Sequence, residues 1–199
     1  MILHYSEENA IDNMSRIKVI QHEEATGRLN EIYDDLINKR GKLADVHKIQ
    51  SLRPESIVAH MDLYMEIMFS KSELSRAERE MMAVIVSVSN GCEYCQMHHA
   101  QALNNYWKND EKINRLRNDF ENADLTSREL VLCSFANLLT IHPEVYRNEK
   151  YLVPLKKIGI TDSGILDATL VVSYFNFVNR IVLALGLEVN EAEMKGYRY

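Results

Sequence analysis

Proline and glycine are scarce in this chain, at three and seven of 199 residues. That poverty of turn formers, with apolar residues recurring at three- and four-residue intervals, excludes a ladder of short strands and predicts helices from end to end. Cysteine is scarce too. Three of them, an odd number in a chain with 46% apolar residues, do not make a secreted disulfide framework, because a chain of this size and composition can bury one core unaided. One domain over residues 1–199, with its core at about 15–190, is expected. No run of Lys or Arg tracks a phosphate backbone, and 29 acidic residues against 23 basic give a formal charge of −6, so nucleic acid is not an expected partner. The opening residues Met1-Ile-Leu-His-Tyr-Ser-Glu-Glu-Asn have no basic n-region and no sustained apolar h-region, hence no secretion signal. A cytoplasmic protein is expected. The most apolar stretch, Leu170 to Leu187, carries Asn176, Asn179 and Arg180 in its middle; arginine at a bilayer centre costs roughly 2.5 to 3.5 kcal/mol, which favours a buried helix over a membrane span.

What is present is a series of helix signals. Leu29, Ile32, Tyr33, Leu36 and Ile37 form one stripe of a helix over Glu23 to Lys39, with Gly41 as its stop. Pro54 suits a first turn, and Glu55 to Phe69 follows with a face of Val58, Met61, Met65 and Met68. Ser75-Arg-Ala-Glu78 is a capping box for a helix over Arg76 to Ser89, whose last ten positions, Met81 to Asn90, hold no charge and must be covered by neighbours. Asn90-Gly91 breaks it, both residues tolerating the left-handed conformation, and a new helix starts around Cys92 and runs to about Trp107. A second capping box, Thr126-Ser-Arg-Glu129, opens a helix to about Leu138, and the last helix runs from near Thr161-Asp162 to near Gly186. The likeness of the strings around Ser75 and Thr126 hints at a duplicated helical unit, although a shared capping rule produces the same likeness.

The chemistry concentrates in Cys92-Glu-Tyr-Cys95-Gln-Met-His-His99. At i, i+3 and i+7 the two sulfurs and His99 fall within an arc of about 60° on one helix face. The start of a helix stabilises a thiolate, so both thiols are expected to ionise easily. His99 is the expected base; His98 points about 100° away and is read as a surface or interface residue. Glu80 has Ala77, Met81, Val84 and Val88 as its helical neighbours. Either it turns inward, where desolvation raises its pKa toward general acid-base use beside an imidazole or thiol, or it turns outward near the helix start. Zinc on Cys92, Cys95, His99 and Glu80 is an alternative, though three ligands on one helix face make a weak cage. A thioredoxin-type site belongs at the end of a strand, and this context is helix, turn, helix.

The string Leu74-Ser-Arg-Ala-Glu-Arg-Glu80 … Val88-Ser-Asn-Gly-Cys92-Glu-Tyr-Cys95-Gln-Met-His-His99 resembles the core of the alkylhydroperoxidase AhpD-like family, within the carboxymuconolactone decarboxylase superfamily. The family pattern is a glutamate, a cysteine twelve positions on, then Cys-x-x-Cys-x-x-x-His, and Glu80, Cys92, Cys95 and His99 fill it. Asn176-Phe-Val-Asn-Arg180 through Leu185-Gly-Leu looks like the tail of its uncharacterised peroxidase-related branch. The resemblance implies an all-α, AhpD-like multi-helix bundle, assembled as a homo-oligomer, trimer or hexamer, that reduces hydroperoxides with thiols, needing no cofactor or metal. It implies Cys95 as the peroxidatic cysteine, Cys92, nearer the helix start and the surface, as the resolving one, and Glu80 with His99 as a proton relay. An unidentified thiol or lipoyl-type reductant would regenerate the dithiol. One position departs: the best-studied members carry histidine just before the second cysteine, and this chain has Tyr94. A phenol cannot replace imidazole as a base at neutral pH but can donate a hydrogen bond.

Among the remaining features, Cys133 lies with Leu130, Val131, Leu132 and Phe135 and reads as a small core hydrophobe. The Met61, Met65, Met68 stripe reads as core or subunit contact, and Asn176, Asn179 and Arg180 need polar partners inside an apolar helix. Two other functions stay open: a lyase of the decarboxylase kind, which does not depend on a cysteine pair, and a non-catalytic redox sensor or zinc-stabilised binding module.

Overall fold

The computed structural model describes residues 15–189. The opening string read against a secretion signal, and the outer ends of the expected 1–199 domain, lie outside the described residues. Among those described there are helices and no strand: α1 Gly27–Arg40, α2 Asp45–Lys48, α3 Pro54–Phe69, α4 Arg76–Ser89, α5 Glu93–Trp107, α6 Asp110–Asn118, α7 Ser127–Ile141, α8 Val153–Lys157 and α9 Asp162–Leu185, with short 3-10 turns between them.

The uncharged run in α4 becomes the centre of the molecule. Nine consecutive residues, Arg79–Ser87, are buried, because α3, α5, α6, α7 and α9 pack around this helix on its different sides. Both capping boxes form: Ser75 Oγ accepts from the Glu78 amide and Thr126 Oγ1 from the Glu129 amide. The two caps also meet, since Arg128 Nε donates to Glu78 Oε1 at 2.6 Å, which fixes α7 beside α4. Cap chemistry is sufficient for the likeness of the two strings. Cys133 is buried in this core, where burial raises its thiol pKa far above the ordinary value. A second, smaller apolar cluster joins α1 to α3 through Leu29, Ile32, Tyr33, Leu36, Ile57 and Met61.

Arg79 is a charge inside this core. Its guanidinium donates to the carbonyls of Leu74 at 3.1 Å, Ile67 at 3.0 Å and Ser70 at 2.8 Å, satisfying carbonyls where α3 ends and the chain turns into α4. Arg79→Met keeps much of the stem but orphans those oxygens, and equilibrium urea unfolding is expected to show a loss of about 3 kcal/mol. An unchanged midpoint would mean that the three bonds contribute nothing net.

Two positions set the start of α5. Asn90 stays right-handed at φ −88°, and Gly91 alone turns left-handed at φ +66°. A Cβ at Gly91 would meet nothing within 4 Å, so it is the backbone conformation that calls for glycine. The Cys92 amide then donates to Ser87 O at 2.9 Å, folding the chain back so that α5 lies along α4.

Some elements differ from expectation. Residues His22–Glu24 form a 3-10 turn, and α1 starts only at Gly27 because Ala25 and Thr26 are extended. The α6 helix was not expected: nine residues rich in charge, capped by Asn109, bury only Ile113 and Leu116, too little periodicity to read from sequence. The α7 helix runs on to Ile141. By length and composition α9 could cross a membrane, but ten of its residues, Asn179 among them, are buried against the protein itself.

Candidate active site

Packing α5 against α4 brings Glu80 under His99. Glu80 is fully buried; its Oε2 accepts from His99 Nδ1 at 2.7 Å, and its Oε1 accepts from Arg76 Nε at 2.9 Å and Nη2 at 2.5 Å. Of the two open readings of Glu80 the inward one holds, with its pKa moving opposite to expectation. Burial pushes the carboxyl up, but the charge and hydrogen bond of His99, then those of Arg76, override it and leave it below the ordinary carboxylate value. An ionised carboxylate only accepts, so His99 carries a proton on Nδ1 and its Nε2 faces away from Glu80. Arg76 was not singled out in the sequence beyond starting the helix. The signal was its i,i+4 spacing from Glu80. Its guanidinium also lies 3.6 Å from the centre of the Phe69 ring and donates to Tyr64 Oη at 3.4 Å.

The two sulfurs sit at the start of α5, Cys92 as the residue before its first turn and Cys95 at its third position. Both are free thiols in contact with one another, and they do not ionise alike. Contact with the Cys95 thiol lowers the Cys92 pKa against burial, and the Cys95 backbone amide acts in the same direction. Contact with Cys92 raises Cys95 well above an ordinary thiol, burial and the charge of Cys92 add to this, and a hydrogen bond from Asn179 opposes it. The expectation of two easily ionised thiols is corrected: one proton leaves the pair readily and the other is held, because two thiolates cannot share a dry site.

Asn179, expected to satisfy loop carbonyls or a neighbouring subunit, reaches instead to the sulfur, and its Nδ2 donates to Ser87 Oγ at 3.3 Å. Asn90 Nδ2 donates to Asn179 Oδ1 and Asn176 Oδ1, each at 3.0 Å, so α9 holds the turn between α4 and α5 in place. Arg180 Nη1 donates to the Asn176 carbonyl at 2.8 Å.

A cavity of about 100 Å³ opens onto Cys95 and His99, with aromatic walls from Tyr64, Tyr94, Tyr174 and Phe175. The Phe175 ring meets the His99 imidazole edge-on at 4.4 Å. His98, half-buried, also lines this cavity beside Val46 and His47 of α2, its ring 4.4 Å from that of Tyr94. Met61 lines the cavity, Met68 is core and Met65 is exposed. A larger groove of about 450 Å³ between α1 and α3 lies away from the sulfurs and shares only Arg40 and Met61 with the cavity. Among the described residues no group of three or more His, Cys, Asp or Glu side chains is arranged to hold a metal, and Glu80 is already engaged by His99 and Arg76.

Residues 54–138 match the carboxymuconolactone decarboxylase family, a span containing Glu80, Cys92, Cys95 and His99. An uncharacterized peroxidase-related protein from Silicibacter sp. TM1040 is 26% identical, with TM-score 0.81 over 94% of this chain and 97% of that one. Over residues 54–138 the chain carries a carboxymuconolactone decarboxylase family domain, and as a whole it is similar in fold to AhpD-like, peroxidase-related proteins. An alkylhydroperoxidase AhpD core, an uncharacterized peroxidase-related protein from Ralstonia eutropha JMP134, is 23% identical with TM-score 0.82 over 92% and 96% of the two chains. The debrominase Bmp8, 18% identical with TM-score 0.73 over 91% and 94%, shares the fold. No curated protein matches in sequence.

Two expectations drawn from the AhpD-like pattern meet a different geometry. Cys92 is not nearer the surface: it is fully buried and absent from the cavity wall, whereas Cys95 lines it. As the residue before the first helical turn it is tucked beneath the α4–α5 break. Tyr94, at the position of the family histidine, accepts the Val46 amide proton at 3.3 Å and so ties α5 to α2.

Proposed function

We propose that this AhpD-like protein is a thiol-dependent peroxidase that reduces hydrogen peroxide or an organic hydroperoxide, in one helical domain, in the cytoplasm. The supporting observation is the cavity that presents Cys95 and His99 together, with His99 oriented by a buried ionised Glu80 and Cys95 backed by Cys92.

In the resting dithiol His99 Nε2 takes the first proton from the pair, and the Glu80 carboxylate steadies the imidazolium. The proton that remains passes to Cys92 as Cys95 attacks the terminal oxygen of the hydroperoxide. The S–O bond forms, the O–O bond breaks with its electron pair going to the alkoxide, sulfur is oxidised and peroxide oxygen reduced. His99 returns its proton to the alkoxide, giving an alcohol. Cys92 then attacks the Cys95 sulfenic acid, an S–S bond forms, and hydroxide leaves with the Cys92 proton as water. An external thiol or lipoyl-type dithiol reduces the disulfide. Since Cys95 lines the cavity and Cys92 does not, that reductant meets the Cys95 sulfur and displaces Cys92.

A lyase makes no use of this thiol pair, and a zinc-held binding module would need a cage that no group of His, Cys, Asp or Glu among the described residues is arranged to form. Assembly into a homo-oligomer is supported by Leu166, Leu170 and Phe177, which lie on one stripe of α9 and are all exposed.

The test is mass spectrometry of the wild-type protein after graded hydroperoxide. The expected product has lost two hydrogens, mapped to a peptide joining Cys92 and Cys95, with one alcohol formed per disulfide. An unchanged mass with both thiols still alkylatable would remove the proposal.

A further inference from the structure

A chain of hydrogen bonds that reaches the cavity wall through His60 and Tyr174 has a fixed direction. Gln50 Nε2 donates to the Val46 carbonyl at 2.8 Å, and since a carbonyl only accepts, this identifies the nitrogen of the Gln50 amide. The same nitrogen lies 2.7 Å from His60 Nδ1. An amide nitrogen cannot accept, so Nδ1 is the unprotonated nitrogen of His60 and its proton sits on Nε2. His60 Nε2 is 2.6 Å from Tyr174 Oη and therefore donates to it. Burial supports this assignment, holding His60 neutral down to about pH 4.

The consequence falls on Tyr174. Its oxygen is already accepting from His60, so its own hydroxyl proton must be given elsewhere, and the side chain is 5% exposed. Among the described residues its hydroxyl has no hydrogen-bond acceptor. Tyr174 shares the cavity wall with Cys95 and His99. The phenol pKa is raised well above the ordinary value, by burial first and then by the neighbouring Tyr64 and Cys95, which keeps the hydroxyl protonated.

We propose that the Tyr174 hydroxyl, aimed by the directed chain Gln50 to His60 to Tyr174, donates a hydrogen bond to the hydroperoxide oxygen that leaves as alkoxide. This rests on the peroxidase reading and extends it. As Cys95 sulfur bonds to the terminal oxygen and the O–O bond breaks, negative charge grows on the departing oxygen, and a donor already fixed at that place stabilises the charge without reorganising. Tyr174 transfers no proton; that comes from His99. His60 and Gln50 are positioning residues, acting only through the direction they impose on the phenol. The departing group must carry a hydrogen-bond-accepting oxygen, as a hydroperoxide does.

The experiment compares two reactions of the Cys95 thiol in the full chain: oxidation by cumene hydroperoxide, and alkylation by iodoacetamide, whose iodide leaves without a proton donor. Tyr174→Phe is expected to slow oxidation on the order of 20-fold while alkylation changes by less than about twofold. His60→Leu is expected to lower the oxidation-to-alkylation ratio as well, and His60→Gln, whose amide can accept from Gln50 and donate to Tyr174, to recover part of it. Oxidation at the wild-type rate in Tyr174→Phe, or oxidation and alkylation falling together, would overturn the proposal while leaving the peroxidase reading intact. Wild-type protein that is alkylated but inert to every hydroperoxide would remove both.

Discussion

Cys95→Ser is expected to consume hydroperoxide no faster than buffer alone, the largest loss any single substitution should produce. Cys95 is the sulfur on the cavity wall, whereas Cys92 is sealed behind it, so the serine variant leaves no thiol where peroxide arrives. An alcohol cannot substitute, being far less nucleophilic and not ionised at neutral pH. Cys92→Ser should behave differently. The contact with Cys92 that raises the Cys95 pKa is gone, so the first oxidation still proceeds, and the Cys95 sulfenic acid it forms persists for want of a resolving thiol and can be captured by a cyclic dione. The pair is therefore read by two measurements, peroxide consumption and dione labelling. Undiminished consumption by Cys95→Ser would end the assignment, and a persistent dione adduct at Cys92 in that variant would reverse the roles of the two sulfurs.

The parts of this molecule that were legible in the sequence are those governed by neighbours along the chain. The capping boxes at Ser75 and Thr126 formed as spaced, Pro54 opened α3, and the break at Gly91 delivered Cys92 and Cys95 to the start of α5. Periodicity also showed that α4 had to be buried, and hence that Glu80 needed a partner if it faced inward. What stayed hidden comes from far away in the chain. Tyr64 and His60 arrive on α3 and Tyr174, Phe175 and Asn179 on α9, and nothing in the local pattern around Cys95 announces an amide donated from 84 positions later. The direction of the Glu80 shift was misjudged because burial was legible from the apolar face, whereas the Arg76 guanidinium was written only as an i,i+4 spacing within α4 and the His99 imidazole closing on the same carboxylate depends on how α4 and α5 dock. His98 shows the limit of a helical wheel, which places a side chain around its own axis but cannot say that it will share a cavity wall with residues of α2.

Glu80→Gln is expected to slow Cys95 oxidation by about 100-fold at pH 7, the scale of a positioned acid-base group. Glutamine keeps the shape and can still accept from His99 Nδ1, so the ring orientation survives; the negative charge that steadies the imidazolium when His99 holds the thiol proton does not. Glu80→Asp should recover part of the rate, since it restores the charge at a longer reach, and a glutamine variant as fast as wild type would assign Glu80 to structure alone. The same substitution has a stability signature of defined sign. Because the folded pKa of Glu80 lies below its ordinary value of 4.5, the unfolded chain binds more protons near and below that pH. Ionised Glu80 therefore stabilises the fold above pH 4.5 and loses that contribution as acidity carries it through its lowered folded pKa. Glu80→Gln removes the titrating group and leaves the Arg76 charge half-satisfied, which should cost about 3 kcal/mol at neutral pH. The gap between wild type and variant in urea unfolding should then narrow as pH falls below 4.5. A gap that stayed constant into acid would mean that the bonds to His99 and Arg76 do not hold Glu80 in its charged form.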